Sequence, residues 1–254
     1  YGPHSTGGSI NYITTPVELG EKYFGSVSYG SGHDVITHEY ANYGFSGDFG
    51  AVAILGEIYY RNGGGRREFN IDPASSSVHR KNYGSDELGD MNHFAPMVKL
   101  LWQLPTTSNL VLELKYAYED NNYNNSYAGQ STADFNANPH QQYVAHQLGE
   151  YNTEHHTSYV KLRYDMNSNI TNNLTGYFNY FTRDWFKLDK VVVGGTEYAE
   201  ERFNSKAATG NEVIARNVAK GLTAGQLRYK GNDRQYGAYG IMNETDFRFN
   251  TDLM

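Results

Sequence analysis

Residues 110–120 decide the fold, because their sequence, L-V-L-E-L-K-Y-A-Y-E-D, alternates between two kinds of side chain. Leu112 and Tyr116 fall on one side of an extended chain, whereas Glu113 and Lys115 fall on the other. Successive side chains of a β-strand point to opposite faces, so this period of two predicts a strand with one apolar and one largely polar face. A helix of the same sequence would scatter its charges around its circumference.

The same alternation recurs along the chain and predicts an all-β fold. Within the last long connection, residues 187–198 predict an additional small hairpin that turns at Gly194-Gly195. With residues 110–120, the following segments predict eight main strands: 23–29, 40–45, 52–60, 98–103, 160–166, 174–181 and 239–250.

The connections between the predicted strands alternate in length. Tight turns are predicted at residues 47–50, 105–108 and 167–169. Long polar stretches rich in Gly and Asn separate them, at residues 61–93, 121–156 and 183–236. Short periplasmic turns and long extracellular loops are typical of outer-membrane barrels. The sequence therefore predicts a transmembrane antiparallel β-barrel whose long loops lie outside the cell.

Composition excludes several other classes of protein. The chain has 254 residues and no Cys, which excludes a disulfide framework and a thiolate metal site. Its mean hydropathy is −0.67, and its sequence has no apolar run of the roughly 18 residues that a membrane helix needs. The net charge of −7 argues against a nucleic-acid partner.

Aromatic residues are placed as a membrane barrel requires. The chain has 23 Tyr, and several lie on the apolar face near the ends of predicted strands. Rings at these depths form two girdles at the lipid–water interfaces, although Tyr is also simply a good strand former. The predicted girdle residues are Tyr60, Tyr118 and Tyr180 at the outer rim, and Trp102 and Tyr164 at the periplasmic rim.

Residues 1–16, Y-G-P-H-S-T-G-G-S-I-N-Y-I-T-T-P, resemble the end of the plug domain of TonB-dependent outer-membrane receptors. The shared features are Tyr-Gly-Pro, then Gly-Gly, then an Ile-Asn-x-Ile-Thr strand. Residues 59–68 are similar to the Gly-rich, Arg-containing start of an early extracellular loop of that family. The run from Arg234 to Ile241 resembles the ferric-citrate branch of siderophore receptors.

The resemblance implies a larger architecture than the chain itself. It implies a roughly 22-stranded barrel occluded by a plug, of which this chain would be a fragment. Residues 1–16 would end the plug domain, and residues 17–254 would form about the first eight strands of the barrel. The implied partners are the outer-membrane lipid bilayer, the TonB-ExbB-ExbD energy-coupling complex and a small iron-chelate ligand.

The expected function is uptake of a ferric chelate, with ferric citrate as the preferred ligand. Arg forks suit the carboxylates of such an anion, which makes Arg66, Arg67 and Arg234 candidate ligand-binding residues. These arginines could instead pair with loop carboxylates such as Asp233. The resemblance places His4 near the ligand pocket, although it could equally be a turn residue facing solvent.

Other ligands and other classes of barrel stay open. Haem, a nickel chelate or cobalamin could be the transported complex, and a passive porin-like barrel without a plug is the alternative architecture. No sequence motif of a hydrolase, metalloprotease or phosphate-binding loop occurs, so we expect no enzyme and no cofactor. His155 and His156 should point to opposite faces of a strand, so we predict no metal site there.

Overall fold

The computed structural model describes residues 13–29, 34–63, 67–69, 87–88, 91–105, 109–124 and 129–249. Within these ranges the chain forms thirteen β-strands, three α-helices and one 3-10 helix at Val144–His146. The strands are β1 Lys22–Tyr29, β2 Val35–Gly47, β3 Gly50–Gly63, β4 Arg67–Phe69, β5 Glu87–Leu88, β6 Met91–Gln103, β7 Leu110–Asn124, β8 Gln141–Gln142, β9 Glu150–Asn167, β10 Ile170–Val193, β11 Thr196–Tyr198, β12 Gln226–Gly231 and β13 Arg234–Phe247. The helices are α1 Thr132–Ala137, α2 Glu200–Phe203 and α3 Asn211–Ala219.

Eight long strands form one antiparallel meander, which we call the wall. Its order is β1-β2-β3-β6-β7-β9-β10, with β13 pairing with the first part of β10. All eight predicted main strands are thereby confirmed, as is the all-β fold. The wall is an open sheet in this chain, with β1 and β13 at opposite ends of the order.

The wall strands are longer than the sequence predicts at the end that carries the long connections, which we call the loop end. β9 begins at residue 150 rather than 160, and β10 continues to residue 193 rather than 181. The predicted bounds of the long connections, 61–93, 121–156 and 183–236, are therefore too wide. Residues 152–158 of β9 and 182–184 of β10 carry polar side chains on both faces, so ladder hydrogen bonds continue there after the hydrophobic alternation has faded.

One connection departs from the predicted alternation of lengths. β1 and β2 are joined at the loop end by residues 30–34 alone. Their ladder runs continuously from Lys22↔Asn42 to Tyr29↔Val35, so the two strands need no long connection. The opposite end, which we call the turn end, has the short connections that the sequence predicts.

The two faces of the wall are distributed as in a membrane barrel. Large side chains on the apolar face lie open to the surroundings: Ile54 is 45%, Phe178 47% and Val160 51% exposed. On the polar face, Ala53 and Leu55 are completely buried. An antiparallel sheet of a water-soluble protein would cover its apolar face instead, whereas a lipid-facing wall leaves it to the bilayer.

Helices in the structure are short. In the ranges that the structure describes, no helix has the length and apolar character needed to cross a membrane.

Residues 129–149 and 187–231 fold into a separate layer at the loop end, which we call the cap. The cap has its own hydrophobic core, in which Phe203 and Val191 are fully buried. The predicted hairpin is confirmed here: β11 pairs with the end of β10, and Gly194 and Gly195 turn the chain at φ 57° and 80°. Such positive φ angles suit glycine, and two in succession make the turn that hairpins favour.

Candidate functional site

A row of polar side chains crosses the polar face of the wall at the loop end. Its members pair across adjacent strands, so they lie at one level of the sheet. We call it the arginine row: Arg61, His93, Asn121, Thr153, Arg183 and Arg234.

Two arginines of the row are direct cross-strand neighbours. Arg183 in β10 pairs with Arg234 in β13. The Arg183 guanidinium lies 5.7 Å from the centre of the Trp185 ring, and its Nε is buried without a hydrogen-bond partner. Arg234 donates to the Asn232 Oδ1 at 3.0 Å and to the Tyr236 hydroxyl at 3.2 Å.

No carboxylate among the described residues forms an ion pair with either arginine. Asp233, the loop carboxylate next to Arg234, instead lies beside the carboxyl group of Asp184. Like charges placed directly opposite each other destabilise a sheet. The two guanidinium groups can therefore gain by binding an anion.

A pocket of about 500 Å³ adjoins this pair. Both arginines line it, and so does Asp233 just before β13. Strand alternation places three further lining carboxylates on the other side of the sheet: Asp120, Glu154 and Asp184. An anion would consequently have to approach the arginines from the polar face, where these three carboxylates do not point.

At the arginine row and just below it, the polar face carries two histidine–glutamate pairs. The His38 Nε2 lies 2.7 Å from the Glu57 Oε1, and the His93 Nε2 lies 3.3 Å from the Glu119 Oε1. The Tyr59 ring packs between the two imidazoles, with centroid distances of 6.1 and 5.1 Å. This surface offers many hydrogen-bonding groups and few apolar ones, as suits a hydrophilic ligand.

Residues 13–18 lie against the same polar face. They cross it as an irregular segment and do not join the sheet as a strand. Val17 is buried among Ala53 and Leu55, and Lys99 of β6 donates to the Thr15 carbonyl at 2.6 Å. A pocket of about 300 Å³ separates Ile13 and its neighbours from the wall.

The adjacent histidines behave as their spacing predicts. The His155 ring contacts Phe181 on the polar face, at a centroid distance of 5.7 Å. The His156 Nδ1 instead lies 2.9 Å from the Tyr116 hydroxyl on the apolar face. Throughout the described ranges, no three His, Asp or Glu side chains are grouped so as to hold a metal ion.

Polar contacts tie the two halves of the cap together. His146 and Glu200 are both buried, with 2.8 Å between Nε2 and Oε1. Lys220 contacts Asp134 at 2.6 Å. Burial alone would raise the pKa of Asp134, but hydrogen bonds from Lys220, Ser131 and Tyr143 outweigh it and hold that pKa below its usual value.

The sequence-predicted site residues are only partly within the described ranges. His4 and Arg66 lie outside them, and Arg67 is placed in β4 by its backbone alone. Arg234 is exposed in the arginine row, as described above. By strand alternation, the predicted girdle residues Tyr60, Trp102, Tyr118, Tyr164 and Tyr180 all fall on the apolar face, and their girdle role stays a prediction.

Sequence reasoning missed Arg183 and the wall residues that hold residues 13–18. Arg183 lies inside a stretch predicted to be a loop, so its strand neighbour could not be assigned. A signal did exist for the wall residues: Leu55 and Leu101 are apolar at positions that alternation assigns to the polar face. Both pack against Val17 or its neighbours.

Comparison with known proteins gives one similar structure. No family model matches the chain, and no curated protein matches it. The crystal structure of the siderophore receptor PiuA from Acinetobacter baumannii is similar over 94% of this chain, with a TM-score of 0.61 and 14% sequence identity. The chain spans 29% of that receptor's length. The similarity shows that the wall and cap share the fold of part of that receptor.

Proposed function

We propose that this chain is part of a TonB-dependent receptor of the bacterial outer membrane that takes up a ferric chelate. The observation that carries the proposal is the position of residues 13–18 on the polar face of the wall. A plugged receptor needs a segment that enters the barrel and crosses its inner surface, whereas a passive porin-like barrel does not. The fold shared with a siderophore receptor supports the same assignment.

An anionic chelate such as ferric citrate is the preferred ligand. The support is the Arg183–Arg234 pair, which has no carboxylate partner among the described residues. Guanidinium groups bind carboxylates through paired hydrogen bonds, and charge assistance makes these bonds roughly twice as strong as neutral ones. His4, Arg66 and Arg67 remain proposed further contacts to the same ligand.

Uptake of this kind requires no catalytic step. Binding by the polar face and the plug would select the chelate, and the TonB-ExbB-ExbD complex would drive its release through the barrel. The receptor needs no cofactor for this, since the iron complex is the cargo.

Binding titrations of the intact receptor in lipid test the ligand class. We expect saturable binding of ferric citrate, and weaker or no binding of haem, cobalamin and a nickel chelate. Arg183→Gln and Arg234→Gln should each weaken binding of an anionic ferric chelate by about 10-fold or more, since a hydrogen bond to a charged group contributes about 1.5–3 kcal/mol. A neutral chelate should be affected little.

Arg163→Gln is the matched control. Arg163 is in β9 near the turn end and already contacts Asp165 at 2.9 Å. Its loss should leave binding unchanged. Equal losses for anionic and neutral chelates would contradict the anion assignment, and absence of saturable binding for every chelate would contradict the receptor itself. An open, ungated conductance of the intact protein would favour the porin-like alternative.

A further inference from the structure

We infer that residues 14–20 are a fixed anchor from which the plug is suspended, and that Lys99, Asn42 and Gly44 are the positioning residues that hold it. This inference rests on the proposed function, because only a receptor with a plug has a segment that must stay still while its neighbour moves. Three separate contacts between residues 14–20 and the wall carry it.

Lys99 makes the first contact. Its side chain is almost completely buried, and its ammonium donates to the carbonyl oxygens of Thr15 at 2.6 Å and Thr14 at 3.4 Å. A buried ammonium without a partner is costly, so these backbone carbonyls stabilise Lys99 as much as Lys99 stabilises them. Detaching residues 14 and 15 would leave the charge with fewer acceptors.

Asn42 makes the second contact, and it binds three backbone groups at once. Its Oδ1 accepts from the Glu18 amide at 3.1 Å, and its Nδ2 donates to the carbonyls of Glu18 at 2.8 Å and Gly20 at 2.9 Å. Asn42 is 4% exposed. One amide side chain therefore replaces the ladder that this irregular segment lacks.

The third contact is a close approach of backbone to backbone at Gly44, which has no side chain. A Cβ at this position would lie 2.5 Å from the Gly20 nitrogen and 2.9 Å from the Leu19 Cα. The backbone of residues 19–20 thus crosses β2 at a distance that only glycine allows. Between Asn42 and Lys99, Val17 fills a small apolar site on the wall made by Ala53 and Leu55.

Ile13 lies directly upstream of the anchor. Ile13 is 89% exposed, and a pocket of about 300 Å³ lies between it and the wall. We therefore place the upstream end of the anchor between residues 13 and 14. When the plug is remodelled, we expect the chain to pivot there.

Two engineered cross-links in the intact receptor test the pivot, and this chain contains no Cys of its own that could compete with them. Glu18→Cys with Asn42→Cys links the anchor to the wall, at a place where the Asn42 side chain already bonds to the Glu18 backbone. Ile13→Cys with Ala117→Cys links the chain just upstream of the anchor, across the pocket that both residues line. We expect the oxidised 18–42 receptor to retain ferric-chelate uptake and the oxidised 13–117 receptor to lose it.

Loss of uptake in the oxidised 18–42 receptor, with uptake present in its reduced form, would overturn the anchor. So would full uptake by the oxidised 13–117 receptor. If the unmodified receptor takes up no iron chelate, the proposed function is wrong. Amide hydrogen exchange of residues 14–20 then tests separately whether this segment is held by the wall. Exchange at the Glu18 amide should be slow in the native receptor.

In the hydrogen-exchange measurement, variants of the three positioning residues distinguish a local hold on residues 14–20 from a general effect on stability. Asn42→Ala and Gly44→Leu should accelerate exchange at residues 14–20 by at least about 10-fold while leaving the β6–β7 ladder protected. Lys99→Met should act similarly, and Lys99→Arg should restore protection in part because it can still donate to both carbonyls. Fast exchange of residues 14–20 in the native protein would overturn the inference.

Discussion

The wall and the cap solve the problem of burying apolar side chains in opposite ways. The cap encloses its core side chains: Phe203, Leu188 and Val191 are no more than 1% exposed. The wall presents its apolar side chains, and Val160 and Phe178 keep about half of their surface uncovered. The same alternating strand, β10, contributes to both regions, so the surroundings and not the secondary structure decide which side is buried. This difference in exposure between the two parts of β10 indicates that the surroundings of the strand change from lipid to water partway along its length.

The largest expected effect is the loss of stability when one phenylalanine of each region is truncated to alanine. Phe203→Ala should destabilise the cap by about 3–5 kcal/mol, because the cap cannot refill the cavity. Phe178→Ala on the wall should cost less than half of that, because lipid chains fill the space that the ring leaves. Chemical unfolding of the receptor in bilayers, followed by proteolysis within the cap, measures both. Equal losses would mean that the wall does not face lipid.

Substituting arginine for one valine in each region tests whether that position faces lipid or water. Val160 is on the apolar face of the wall and Val213 is on the cap, and both are partly exposed. Val160→Arg should destabilise insertion into vesicles by about 2–4 kcal/mol, the cost of a charge near the middle of a barrel's lipid face. Val213→Arg should change stability by less than about 0.5 kcal/mol, as at an ordinary wet surface. If both substitutions were tolerated, the membrane assignment would be wrong.

The smallest expected effect concerns pH and should be confined to the cap. The pKa of Asp134 is lowered in the folded protein from 3.8, so its unfolded form binds a proton more readily. Its stabilisation is therefore complete above about pH 4 and is lost as pH falls further through the lowered pKa. Hydrogen exchange of α1 between pH 5 and 2.5 measures this loss. Asp134→Asn should remove that pH dependence, and its persistence would assign the effect to another group.

The sequence was sufficient wherever one face of a strand is apolar. Alternation located the strands around Leu112, Ile54 and Leu174, and glycine pairs and short polar runs located the turns between them. It failed where strands leave the apolar band, as at Asn122 and Asn152, since both faces are polar there and pairing depends on the backbone alone.

The site was harder to predict than the fold for a related reason. Arg234 could be singled out from the sequence, but its neighbour Arg183 is 51 positions away and becomes adjacent only through the register of β10 with β13. The cap core likewise joins residues around Tyr143 and Phe203 that no local pattern links. Asn42 and Lys99 gave no sequence signal of their own, because polar residues on the inner face of a barrel are ordinary.

The length of β10 has a consequence for what can touch this molecule. The part of β10 below the cap, residues 170–186, extends about 56 Å, and a tilt of about 40° reduces its height to roughly 43 Å. A lipid-facing band about 25 Å tall leaves on the order of 18 Å between that band and the cap. The cap is thus held on a stalk, clear of the lipid headgroups. Antibodies and other large molecules that cannot approach the bilayer itself should be able to reach it.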